Sequence, residues 1–207
     1  MSAWFRTLTL LLMSIAAMHT AQAQTPQRES LVLGGGCFWC LEAVYDQVRG
    51  VESAVSGYAG GEVPNPTYKQ VTGGRTGHAE VVEITFDPSV VSRDTLLDVF
   101  FTIHDPTTLN RQGNDVGPQY RSVIFYKDEK QKAAAKAFIM AIDMSKALNK
   151  PVATQLVPFT AFFEAEKYHQ NYLRNNPKDP YIVTHDLPKL EALKQKFPSL
   201  YREKPSP

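Results

Sequence analysis

Two cysteines, Cys37 and Cys40, are the only ones in the 207 residues, and they stand three positions apart in Gly34-Gly35-Gly36-Cys37-Phe38-Trp39-Cys40. A short apolar run, Leu31-Val32-Leu33, precedes the glycines, and an amphipathic segment follows them. A strand that turns through glycine into a helix sets Cys37 at the helix N-terminus. Free backbone N–H groups and the helix dipole favour a thiolate there. Cys40 follows one turn later, with Cβ atoms about 5–6 Å apart, within reach of a disulfide after a small adjustment. The pair therefore reads as an attacking sulfur and a second sulfur that can close on it, with Phe38 and Trp39 as adjoining apolar surface. The loop it closes is too small to staple a fold. No second Cys-x-x-Cys or close histidine pair completes a zinc site, so no metal is expected.

Other groups with chemical potential lie far away in sequence. In Ala79–Phe86 strict alternation places Glu80 on the face of Val82, Ile84 and Phe86, with Glu83 opposite. A carboxyl on an apolar face has its pKa raised and can keep a proton near neutrality, which makes a general acid. Exposure at the strand start is the competing reading. Tyr68 and Tyr120 lie in or beside long turn-rich stretches. Each offers a neutral donor to a developing oxyanion, or simply packs a loop. Asp115 serves either a site or a turn. His78, His104 and His169 are possible bases. No hydrolase elbow, phosphate loop or dinucleotide fingerprint is present.

The elements that must position these groups follow from periodicity. Strands are predicted over 31–35, 51–58, 79–86, 121–126 and 153–157. Helices are predicted over 38–48, 92–104, 127–149, 165–175 and 188–196, with Ser92 as an N-cap and one helical turn near Tyr68. The leading order β-α-β-β-α-β fits an α+β, two-layer ferredoxin-like core with long functional loops and a C-terminal extension. Residues 1–23 read as a signal peptide, with Arg6, an apolar run too short to span a bilayer, and Ala21-Gln22-Ala23 as the cleavage site. Residues 24–29 are a linker, 30–200 one catalytic domain and 201–207 a flexible tail. An exported, periplasmic protein is expected. Removing the leader takes one arginine from a net charge of +1, leaving about zero, which argues against nucleic acid as a partner.

Several strings, in order, resemble the A-type methionine sulfoxide reductases (peptide-methionine (S)-S-oxide reductases). They are Gly36-Cys37-Phe38-Trp39, Asn65-Pro66-Thr67-Tyr68, Gly77-His78-Ala79-Glu80, His104-Asp105-Pro106-Thr107, Asp115-Val116-Gly117 with Gln119-Tyr120-Arg121-Ser122, and Ala165-Glu166 with Tyr168-His169-Gln170. The resemblance implies reduction of the S epimer of methionine sulfoxide, free or in proteins. It implies Cys37 as nucleophile, Glu80 as proton donor, Tyr68 and Tyr120 as donors to the oxygen, and Phe38 and Trp39 as the methyl pocket. Asp115 becomes a further active-site acid. It also implies an α+β two-layer fold, no bound cofactor and an external reductant of thioredoxin type; a monomer is expected. Two departures stand out. Cys40 occupies a position where many members have Gly, and the C-terminal region lacks their resolving cysteines, so Cys40 is the internal resolver. Pro118 replaces the usual Thr before Gln-Tyr-Arg, removing a backbone donor and restricting Gly117. The rival reading is a general thioredoxin-like thiol–disulfide oxidoreductase, and a non-catalytic binding module is a third. The oxidoreductase reading gives Glu80 and the tyrosines no task, and inert cysteines would favour the binding module.

Overall fold

A computed structural model describes residues 28–203; the expected leader and most of the linker lie outside them. Strands β1 (Glu29–Gly34), β2 (Val51–Ala59) and β3 (Ala79–Phe86) alternate with helices α1 (Phe38–Tyr45), α2 (Tyr68–Thr72) and α3 (Arg93–Ile103). Two short strands, β4 (Arg111–Gln112) and β5 (Asp115–Val116), form a small ribbon of their own. Then come β6 (Val123–Tyr126), α4 (Glu129–Ser145), β7 (Gln155–Pro158), β8 (Phe162–Glu164), α5 (Tyr172–Asn175) and α6 (Leu187–Lys196). The main sheet has the order β7-β6-β1-β3-β2-β8. Every neighbouring pair is antiparallel except β6 and β7.

Hydrophobic alternation sets the two faces. Leu31, Leu33, Val82, Ile84 and Phe86 point to one side, where Phe38, Leu41 and Val44 of α1 and Leu96, Leu97 and Phe100 of α3 cover them. Val32, Val81, Val123 and Phe125 point to the other, into a smaller apolar cluster. The register Leu33↔Val82 places Glu80 just beyond the end of β1, level with the glycine turn that opens α1. Tyr58 is its partner on β2. The sheet thus brings residue 80 to the helix start that carries the cysteines.

Local chemistry sets most boundaries. Ser92 accepts from Thr95 N–H at the start of α3. Thr67 and Gln70 close a capping box on α2, which is the helical turn expected near Tyr68. Two expectations need correction. The helix predicted over 165–175 is helical only over Tyr172–Asn175. Ala165 N–H instead donates to Ser56 O, and the Gln170 side chain occupies the Ser56 backbone by accepting from its N–H and donating to its C=O. Asn171 then takes a left-handed conformation, φ 55°. A side chain has satisfied the part of β2 that β8 leaves unpaired, where helix was expected. The start of the expected tail is also tied down: Tyr201 bridges to Val48, and Arg202 N–H donates to Gln47 O. The last four residues, 204–207, lie outside the described part.

Candidate active site

The β1–α1 turn depends on Gly36. Its φ is 99°, and a Cβ there would meet the Gln112 side chain at 2.8 Å. Cys37 follows as the N-cap of α1 with no side-chain cap bond. The role is filled from the sheet: Phe38 N–H donates to Glu80 Oε2 at 3.2 Å. Glu80 is 1% exposed, and its Oε1 has no hydrogen-bond partner among the described residues. Burial outweighs the Phe38 bond and, with Asp115 nearby, lifts its pKa to about 8. Glu80 therefore carries a proton at neutral pH, with one oxygen free for a further partner.

Cys37 departs from the simple helix-terminus expectation. Burial, a hydrogen bond with Cys40 and the nearby carboxyls of Glu80 and Asp186 raise its pKa well above the ordinary thiol value. A helix N-terminus contributes typically 0.3–1 kcal/mol, whereas full burial moves a pKa by up to about 3–5 units, so burial wins. The residue is a thiol in this structure. Cys40 is also a free, buried thiol, and its S–H donates to Asp186 Oδ1.

The aromatic residues form one contiguous wall. Phe38 lies against Tyr68, Tyr58 and His169, with ring centroids 6.5, 5.8 and 5.0 Å away. Trp39 stacks on Tyr172 at 3.7 Å, meets Tyr181 edge-on, and donates from Nε1 to His169 Nδ1 at 3.0 Å. Tyr68 and Tyr120 are each partly exposed. Burial together with Glu80 lifts Tyr68 to about 12 and Tyr120 higher still, so both remain protonated donors. Asp115 accepts from the Tyr181 hydroxyl. The structure thus brings Cys37, Cys40, Phe38, Trp39, Tyr68, Glu80, Asp115 and Tyr120 into one region. Pro118 occupies the first position of a 3₁₀ turn over Pro118–Tyr120, where its missing N–H costs nothing. The preceding Gly117 has φ 149°, and a Cβ there would collide with the Gln119 side chain.

Of the histidines, His104 bonds Phe100 O and Ser122 Oγ, and His78 accepts from Gly61 N–H and bonds Val63 O; both hold loops. His169 joins the site wall instead. Glu166 organises that wall by accepting from Tyr68 N–H and the Tyr58 hydroxyl, each within 2.9 Å. Residues 172, 181 and 186 were not anticipated. Tyr172 and Tyr181 are only two of nine tyrosines, and Asp186-Leu187-Pro188 reads as an ordinary helix start. Asp186 in fact closes a π-helical turn, Ile182–Asp186, the kind of irregularity that re-aims one side chain.

Comparison with known proteins agrees with this arrangement. The family model described as peptide methionine sulfoxide reductase matches residues 29–201. The chain is 54% identical over 170 residues to the peptide methionine sulfoxide reductase MsrA of Sulfolobus acidocaldarius, covering 82% of this chain and 96% of that one. It is 57% identical over 160 residues to the MsrA of Nautilia profundicola, covering 77% and 91%. The crystal structure of Mxr1 from Saccharomyces cerevisiae in reduced form superposes with a TM-score of 0.69 at 36% identity, covering 76% of this chain and 91% of that one. Methionine sulfoxide reductase A of Corynebacterium diphtheriae gives 0.65 at 33%, covering 74% and 77%. The chain belongs to the peptide methionine sulfoxide reductase family, enzymes that reduce methionine sulfoxide at the expense of thiols.

Proposed function

We propose that this chain reduces the S epimer of methionine sulfoxide through Cys37, with Glu80 handling the proton. The observation that carries the reading is the buried Glu80, protonated at neutral pH, with one oxygen unpartnered beside the Cys37 helix start. The substrate methyl group packs against Phe38 and Trp39. Tyr68, Tyr120 and Glu80 surround the sulfoxide oxygen. Cys37 sulfur attacks the sulfoxide sulfur, and the oxygen passes to Cys37 as the S–O bond to the substrate breaks. Glu80 lends a proton to the oxygen and is repaid by the thiol proton. Methionine and a Cys37 sulfenic acid are the products, so the substrate gains the two electrons that Cys37 loses. A thiol that is protonated at rest is compatible with this, because its proton is the one that restores Glu80. Asp115 holds Tyr181 in the wall of the pocket by accepting from its hydroxyl.

Cys40 then displaces the hydroxyl of the sulfenic acid to give a disulfide, and an external dithiol of thioredoxin type reopens it by exchange. The four central strands, in the order β6-β1-β3-β2 with α1 and α3 as connections, support a ferredoxin-like description of the core. Residues 1–23 would direct export to a periplasm, where the recycling partner must be a dedicated reductant, since that compartment keeps dithiols closed. The working form in this reading is a monomer.

The test is an epimer-resolved assay of the wild type and Cys37→Ser with a dithiol reductant. Wild type should consume the S epimer alone, and Cys37→Ser should consume neither. Retained turnover in Cys37→Ser would sink the nucleophile assignment. A thioredoxin-like oxidoreductase would instead reduce insulin disulfides and leave sulfoxide untouched.

A further inference from the structure

The reaction needs Cys40 to become a nucleophile once Cys37 is a sulfenic acid, and none of the groups assigned so far takes the Cys40 proton. Cys40 is 1% exposed, so water cannot take it directly. Its S–H points at Asp186 Oδ1, and Asp186 is fully buried. The second carboxyl oxygen, Oδ2, has no hydrogen-bond partner among the described residues. A buried carboxyl with an idle oxygen is costly to fold, so its presence calls for an explanation. The turn that delivers it is the π-helical segment Ile182–Asp186, followed directly by α6. One extra residue in that turn aims residue 186 inward at α1 rather than leaving it as a solvent-facing cap.

We propose that Asp186 is the general base of the recycling half-reaction, taking the proton of Cys40 as Cys40 attacks Cys37. The inference rests on Cys37 and Cys40 as attacking and resolving cysteines. In the step, the Asp186 carboxylate accepts the S–H proton and the Cys40 sulfur forms a bond to Cys37 sulfur. The S–O bond of the sulfenic acid breaks, and its hydroxyl leaves as water with the proton returned from Asp186. Cys40 is oxidised by one electron, Cys37 sulfenic acid is reduced by one, and no outside oxidant is needed. Asp186 gives and takes no proton in the step that forms methionine.

The charges around Asp186 suit the task. Cys37 and Cys40 of α1 face it, Lys189 and His185 lie near it along its own segment, and Asp115 comes from β5. Burial raises Asp186 to about 6, while the Cys40 hydrogen bond, Lys189 and His185 hold it down. It is thus a carboxylate at neutral pH, yet basic enough to receive a proton.

The test is a single turnover without reductant. Reduced enzyme is mixed with one equivalent of methionine S-sulfoxide and quenched over time, and methionine, sulfenic acid and disulfide are each counted. In Asp186→Asn, methionine should still appear, while disulfide forms on the order of 10²-fold more slowly than in the wild type and sulfenic acid accumulates. The acid limb of the wild-type disulfide rate should vanish in the variant. Asp186→Glu, which keeps the carboxylate, should recover most of the rate. Disulfide forming in Asp186→Asn within threefold of wild type would overturn the proposal. So would equal loss of methionine and disulfide in Asp186→Asn with no recovery in Asp186→Glu, which would mark a purely structural side chain. A wild-type turnover that ends without a Cys37–Cys40 disulfide would instead remove the resolver assignment and Asp186 with it.

Discussion

Cys37 and Cys40 share one helix start, and each has a buried carboxyl at hand, but the two pairs are poised in opposite protonation states. Glu80 reaches Cys37 from the sheet, keeps one oxygen idle, and holds its proton up to about pH 8. Asp186 reaches Cys40 from the C-terminal extension, accepts the thiol proton in a hydrogen bond, and loses its own proton above about pH 6. The first carboxyl is an acid awaiting an oxygen; the second is a base awaiting a proton. Burial raises both. The difference arises from partners: one backbone N–H opposes the shift at Glu80, whereas a thiol, Lys189 and His185 oppose it at Asp186. Two similar side chains at neighbouring sulfurs are thereby assigned to the two halves of one cycle.

The largest effect expected from breaking the comparison lies on the acid side. Glu80→Gln keeps the Phe38 N–H acceptor but has no acidic proton, so S-epimer reduction should fall by on the order of 10²–10⁴-fold, read as the rate of methionine formation in a single turnover. The rate should also fall in the wild type as pH rises through about 8, because Glu80 is protonated below that value and ionised above it. An unchanged rate in Glu80→Gln would show that the carboxyl is a helix cap and nothing more.

On the recycling side, Cys40→Ser should release one equivalent of methionine at close to the wild-type rate and then stop, with a sulfenic acid at Cys37, when thioredoxin is the only reductant. Steady turnover there would mean that the external dithiol attacks the sulfenic acid directly. Taken together, full turnover should be confined to a window from about pH 6 to about pH 8, where Asp186 is ionised and Glu80 is not.

A smaller loss is expected at the oxygen's neutral donors. Tyr68→Phe and Tyr120→Phe should each lower the methionine rate about 2- to 10-fold, since one hydrogen bond of about 0.5–1.5 kcal/mol is lost at the transition state. A larger loss for Tyr120→Phe than for Glu80→Gln would move the proton-donor role from the carboxyl to the phenol.

The acid half of this comparison was more legible in the sequence than the base half. Glu80 belongs to an eight-residue strand whose alternation survives folding unchanged, so its face could be read directly. The Cys-x-x-Cys spacing located the sulfurs equally well. Thiolate character at Cys37 could not be read from helix position, because the cost of burial is a property of everything packed around the turn. Asp186 was hidden for another reason. In sequence it stands before Leu187-Pro188, where an aspartate ordinarily caps a helix in solvent, and only the π-helical turn redirects it. The misassigned segment at 165–175 has the same origin. Its helix-forming composition gives way to long-range bonds from Glu42, Ser56 and Gln170, none of which leaves a periodic signature.

Glu42 sharpens the contrast by being neither acid nor base in the cycle. It too is buried, and burial raises it to about 7 against the bonds from Asn171 N–H and the Ser56 hydroxyl. Unlike Glu80 and Asp186, both of its oxygens are partnered, and it joins α1 to the segment after β8. Its shift should therefore appear in stability rather than in rate. The folded state binds this proton more tightly than the unfolded state, whose carboxyl titrates near 4.5. Stability should be greatest below about pH 4.5 from this group and decline as pH rises to about 7, by about 3 kcal/mol at most. Glu42→Gln can still accept from Asn171 and donate to the Ser56 oxygen, so it should flatten that decline and raise the urea midpoint at pH 8, with the methionine rate unchanged. If the rate falls instead, a raised pKa with satisfied oxygens is not enough to mark a carboxyl as structural, and the idle oxygen loses its value as the sign of a working one.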